Sequence, residues 1–211
     1  PAAPHLLVKG HAQGRYVPDR FTIHLAVDVV NKAPAVARAR VETHVKQILA
    51  ALAKHGALSD RTRASTLAIT PKAEMHNDVE VFMGTEVSRT VDATFDNADK
   101  LRDLLGELTT SEEVRINGLD VGRSDETALQ NDLRKRAIAD SQQSARQIAD
   151  AYGLHIKGVY SVSETTPNFS YGINEGLAAV SVSANAVPEM ALRVGTIELE
   201  QEIYAVYLTT P

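Results

Sequence analysis

The sequence predicts an α+β protein in which long amphipathic helices pack on antiparallel or mixed sheets. Two stretches, about residues 34–71 and 124–167, follow one plan: a long helix pattern closed by a glycine, then a strand, then a proline. From glycine to proline the spacing is 15 residues between Gly56 and Pro71 and 14 between Gly153 and Pro167. The near-match reads as two pseudo-repeated β-α-β-β units. The halves cover about residues 15–96 and 113–211, joined by a helix over about 97–109, in one domain spanning 1–211.

Each element has its own signal. Leu6-Leu7-Val8 begins a short strand expected to stop at Gly10–Gly14, and the chain then enters a second strand. There Phe21, Ile23, Leu25, Val27 and Val29 alternate with Thr22, His24 and Asp28, so one side is buried. Val41, Val45, Ile48, Leu49 and Leu52 form a helix stripe opened by Pro34 and ended by Gly56. Arg63–Ile69 reads as a strand, Pro71–Asp78 as a polar turn, and Val79–Phe95 as a long strand with Val81, Met83, Val87, Val91, Ala93 and Phe95 on one side. Asp96 or Asn97 can cap a short helix with Leu101, Leu104, Leu105 and Leu108 inward. Val114–Val121 is the next strand. Ser124, with Asp125-Glu126 behind it, starts the longest helix, whose expected buried face is Leu133, Ala137, Ser144, Ile148 and Tyr152. These side chains are small enough to allow a close approach to a sheet. After a strand over Ile156–Val162, residues 165–193 read as a projecting hairpin or arm in which only Ala179–Ala184 alternates like a strand. The final strand, Gly195–Leu208, sets Ile197 and Leu199 opposite three glutamates, a pattern that also guards sheet edges.

Composition narrows the function classes. The 211 residues are 44% hydrophobic and 23% charged, enough for a sizeable core. A formal charge of −5, a pI near 5.8 and no lysine or arginine run exclude general attraction to nucleic acid. Without cysteine there is no disulfide, thiolate nucleophile or cysteine-based zinc site. No apolar stretch approaches the roughly 18 residues a membrane-spanning helix needs, so no integral membrane segment is expected. Pro1-Ala2-Ala3-Pro4 has the marks of neither signal peptide nor anchor, and a start without methionine is what a mature or trimmed exported chain would show.

Taken in order, the following segments resemble the SIMPL-domain family of exported bacterial proteins over nearly the whole chain. They are Val8-Lys9-Gly10, Val17-Pro18-Asp19, Lys54-His55-Gly56, Ile69-Thr70-Pro71, Phe82-Met83-Gly84, Ala137-Ile138-Ala139-Asp140, Tyr152-Gly153-Leu154 and Val194-Gly195-Thr196-Ile197. The chain departs from the family in having Lys72-Ala73 where an aromatic residue often follows the Pro71 position. The resemblance, which includes the periplasmic immunogenic protein type, implies a location in the periplasm or cell envelope, self-association, and no established enzymatic activity.

The residues themselves offer little chemistry. The seven histidines show neither His-x-His nor His-Glu-x-x-His spacing, and read as solvated or capping groups. Glu74, His76, Asp78 and Glu80 lie close in sequence and are the candidates for a divalent cation, against the simpler reading of a solvated turn. Gly-x-Ser-x-Gly, Gly-x-Gly-x-x-Gly and Walker loops are missing, so no catalytic residue and no cofactor is expected. Phe169, Tyr171 and Ile173 lie in a turn-rich segment where apolar side chains are costly to leave in water. They are the candidate contacts of a homo-oligomer, the alternative being that the segment folds over its own sheet. The expected function is a non-catalytic, self-associating envelope protein with a structural, binding or stress-protective role. The rival is an enzyme or small-ligand carrier with a site between the two repeats.

Overall fold

The computed structural model describes residues 4–164, 168–172 and 195–211, with 168–172 described as backbone. It is α+β: two antiparallel sheets and three α-helices. The strands are β1 (His5–Tyr16), β2 (Arg20–Asn31), β3 (Thr62–Ala64), β4 (Ala68–His76), β5 (Val79–Phe95), β6 (Val114–Gly122), β7 (His155–Glu164), β8 (Asn168–Gly172) and β9 (Thr196–Thr210). The helices are α1 (Pro34–Lys54), α2 (Ala98–Glu107) and α3 (Glu126–Ala151). The elements group into two compact units, one of β1, α3, β7, β8 and β9, the other of β2–β6 with α1 and α2.

In the second of these units β2 is central, flanked by β5 and β6. Its alternating Phe21, Ile23, Leu25, Val27 and Val29 are buried under Ala37, Val41, Val45, Ile48 and Leu52 of α1, with Val87, Val91, Ala93 and Phe95 of β5 beside them. Burying one face of a period-2 strand under a helix stripe is the expected solution for these patterns. Leu101 and Leu104 of α2 are also buried, Leu105 and Leu108 partly so. Asn97 caps that helix by accepting from the Asp99 amide at 2.7 Å.

Both long helices close in the same way. Gly56 (φ +77°) follows α1, with the Ala57 amide donating to Leu52 O at 2.9 Å and the Gly56 amide to Ala53 O at 3.1 Å. Gly153 (φ +66°) follows α3, with Leu154 donating to Ala149 O at 2.8 Å and Gly153 to Asp150 O at 3.2 Å. This is the Schellman arrangement, which needs a left-handed residue just past the helix and so selects glycine. The two glycine-closed helices seen in the sequence are therefore alike in atomic detail.

In the other unit β9 lies inside its sheet, with β1 along one side and β7 and β8 in succession along the other. The three glutamates do share one face, but β9 is not an edge that they could guard. Glu198, Glu200 and Glu202 point to the face away from α3 and pair with basic side chains of β1: Arg15 Nε to Glu198 at 2.6 Å, His11 Nε2 to Glu200 at 2.7 Å, and Lys9 to Glu202. Exposed pairs of this kind contribute about 0–1 kcal/mol each. Their larger effect is on register, because a one-residue slip would turn every glutamate toward the helix.

The first strand does not stop at Gly10 as expected; β1 runs unbroken through Gly10 and Gly14 because β9 pairs with it along its whole length. Gly10 marks a close approach instead. A Cβ there would lie 2.0 Å from the Ala137 carbonyl oxygen and 2.7 Å from Ser141 Cβ. The same contact corrects the expected face of α3, which buries Leu133, Ala137, Ser141, Ala145 and Ala149 and leaves Tyr152 78% exposed. Only alanine and serine fit where a helix backbone sits this close to a strand, so the larger Ile148 and Tyr152 turn outward.

Candidate functional site

The most unusual surface is the end of the β4–β5 hairpin. Pairing of β5 with β2 ends at Thr85, so Val79–Gly84 pair with β4 alone. The turn is Asn77-Asp78, with φ +50° and +61°. Positive φ at both central residues is the type I′ turn of two-residue hairpins, and Asn and Asp tolerate it better than other side-chain-bearing residues. The expected strand over Arg63–Ile69 is interrupted between β3 and β4, and the expected polar turn at Pro71–Asp78 is mostly strand.

Alternation on this ribbon leaves apolar groups in water on both faces. Cross-strand partners share a face, so Ala73 and Met75 stand with Phe82 and Glu80, while Glu74 and His76 stand with Val81 and Val79. Met75 is 66% exposed, Val79 62% and Phe82 57%; Val81 and Met83 are also exposed. Pro71, Ala73, Glu80 and Phe82 line a shallow groove on the first face. The sequence pattern sets Val81 and Met83 on one side with Val87, Val91, Ala93 and Phe95. A register shift between Lys72 and Ala73 corrects this: Phe82 pairs with Ala73 and Val81 with Glu74, so Phe82 and not Val81 shares the face of Val87, and the covering elements end before the strand does. What the sequence did show was a strand 17 residues long, more than β2 could cover.

The other candidate residues are placed as follows. His76 and Glu80 point to opposite faces of the ribbon and Asp78 sits in the turn, so the structure does not gather Glu74, His76, Asp78 and Glu80 into a cation site. Among the described residues no three His, Asp or Glu side chains are arranged to hold a metal ion. Phe169 and Tyr171 lie on β8, which pairs with β9 opposite Leu199 and Ile197. The segment therefore has a strand partner in its own chain, in line with the alternative that it joins its own sheet. Ile173 and the expected strand over 179–184 lie outside the described residues.

Four of the histidines are engaged by carboxylates: His11 with Glu200, His44 with Glu113 at 2.8 Å, His55 with Glu107 at 2.6 Å, and His24 with two aspartates. His24 stands on the β2 face opposite α1. Its Nδ1 lies 2.6 Å from Asp92 of β5 and its Nε2 2.8 Å from Asp120 of β6. With both ring nitrogens facing carboxylates the imidazolium is favoured. The Asp92 hydrogen bond chiefly raises its pKa from the ordinary 6.5, desolvation opposes, and the Asp120 bond adds to the rise. A group whose folded-state pKa is raised stabilises most below its unfolded value and loses that contribution as pH rises through the folded one. Urea melts at stepped pH should show the stability difference between wild type and His24→Gln largest below about pH 6.5 and shrinking above it. A difference that holds constant or grows with pH would contradict the clamp.

The unit of β1, α3 and β9 is thus built on a small-residue contact at Gly10, and histidines elsewhere are held in carboxylate pairs. The SIMPL family model, described as a protein of unknown function (DUF541), matches residues 6–207. The chain belongs to the SIMPL family. It is 27% identical over 186 residues to the uncharacterized protein YggE of Edwardsiella ictaluri, covering 88% of this chain and 78% of that protein. It is 25% identical over 169 residues to YggE of Escherichia coli K12, covering 80% and 69%. The YggE of Shigella flexneri matches to the same extent. In this SIMPL chain two segments that carried the resemblance meet in space: Gly10 lies against Ala137 and Ser141, and the His11 amide donates to Asp140 Oδ2 at 2.9 Å. A third, Phe82-Met83-Gly84, lies in the exposed hairpin. No helix of the described residues is long and apolar enough to cross a membrane.

Proposed function

We propose that this SIMPL chain is a non-catalytic, self-associating protein of the periplasm or cell envelope, acting as a structural, binding or stress-protective component. The observation that carries the reading is the ribbon of β4 and β5 beyond Thr85, with Met75, Val79, Val81, Phe82 and Met83 in solvent on a two-stranded hairpin. An isolated hairpin is marginal in water, and clustered apolar side chains on an arm are what an interaction surface presents. The ionisable groups support it from the other side. His11, His24, His44 and His55 face carboxylates across strands or between helix and loop, where they serve the fold. The envelope location rests on the family resemblance.

Light scattering across a concentration series tests the reading. The expected result is a mass above the 22.8 kDa of one chain, falling toward it in the Phe82→Asp variant, whose exposed site leaves the fold intact. A single-chain mass at every concentration for the unaltered protein would refute self-association. Fractionation of cells making the whole gene product tests the location, and recovery in the cytosol would refute it.

A further inference from the structure

The outer edge of β4 has a chemistry that suits a second copy of itself. In a two-residue type I′ hairpin the residues flanking the turn, His76 and Val79, exchange both ladder hydrogen bonds. Alternate residues Met75, Ala73 and Pro71 then turn their backbone groups away from β5. Pro71 fits there because its missing N–H falls on the outer side and removes nothing from the ladder with β5. The outward groups of Ala73 and Met75 are left as a template for another strand.

We infer that β4 pairs antiparallel with β4 of a second copy, Ala73 opposite Ala73, so that Lys72 of each copy faces Glu74 of the other. The inference rests on the self-association reading and names its contact. Charge selects this register. Sliding the second copy by two residues one way sets Lys72 against Lys72, and the other way sets Glu74 against Glu74. Like charges directly opposite on a sheet are destabilising, and opposite charges stabilise. Glu74 is exposed and has no ion pair among the described residues, while Lys72 reaches Glu86 of its own chain only at 3.4 Å. The same register aligns Phe82, Ala73, Ala73 and Phe82 across a four-stranded sheet and sets each Met75 beside the opposing Pro71, so exposed apolar side chains of the two copies pack side by side along one face. Pro71 cannot donate, which removes one hydrogen bond from each half of the contact and favours a reversible pairing over an extending one.

The test is a charge swap read by light scattering or sedimentation at modest salt. Lys72→Glu and Glu74→Lys should each weaken association about tenfold, and the double swap should restore it to within about threefold. Glu86→Gln, which breaks the internal pair alone, should leave association unchanged. An unaltered protein that stays a single chain would overturn the self-association reading and this contact with it. An assembly unmoved by either single reversal, or a double swap that fails to recover, would overturn the β4 contact alone.

Discussion

Gly10→Ala is expected to lower the stability of the β1–α3–β9 unit by about 3 kcal/mol, the upper range for forcing an added methyl into a packed interior. The new Cβ would sit 2.0 Å from the Ala137 carbonyl oxygen, and a helix backbone cannot give way as a side-chain tip can. The helix must lift from β1, opening contacts of Val8, Ala12, Ala145 and Tyr207 and straining the His11 amide bond to Asp140. Urea unfolding followed by circular dichroism would read the loss, and hydrogen exchange would place it in the β1–β9 ladder. Adding Ser141→Gly should recover little, because the closest atom is the carbonyl and not the serine Cβ. Gly118→Ala is the control. That glycine has no atom within 4 Å of an added Cβ, and the change should stay within about 0.5 kcal/mol. If both variants unfold alike, close approach is not what requires glycine at position 10.

Phe95→Ala should cost about 3–5 kcal/mol, the range for emptying a buried aromatic site. Phe95 is completely buried at the end of β5, opposite Phe21 of β2 and within the cluster that includes Leu52, Leu101 and Leu104. Two helices and two strands share that volume, so its walls are backbone-anchored and cannot all move inward to fill it. Phe95→Leu keeps most of the volume and should lose less than half as much. A loss near 1 kcal/mol for alanine would mean that the site collapses freely, contrary to the close packing argued for it.

Legibility in the sequence followed the range of the forces involved. The alternation of β2 and the stripe of α1 could be read because each buries one complete face, and the hydrophobic pattern is then a record of that burial. The closing glycines at 56 and 153 could be read because a left-handed cap is a local requirement. The face of α3 could be read only in its first half, at Leu133 and Ala137. Leucine, isoleucine and tyrosine spacing pointed to Ile148 and Tyr152, whereas the backbone approach at Gly10 selected Ser141, Ala145 and Ala149. Hydrophobicity ranks those positions wrongly when the decisive term is steric.

The interaction surface shows the same division. The segment around Phe169 and Tyr171 drew attention because its local signals were those of a turn, yet β9 supplies it with a strand partner almost 30 residues away in the chain. The β4–β5 ribbon, with Met75 and Phe82, escaped attention because the polar residues of Pro71–Asp78 read as a turn, while β5 alone reads as an ordinary half-buried strand. Sequence by itself determined the α+β class, the three helices and the long strands β2, β5 and β9, since propensity, caps and periodicity act within a few turns of the chain. Only tertiary structure decided that β9 runs inside its sheet with its glutamates paired to β1, and where burial of β5 stops. Those outcomes depend on which elements lie alongside, and a side chain's own pattern carries no record of where its neighbour ends.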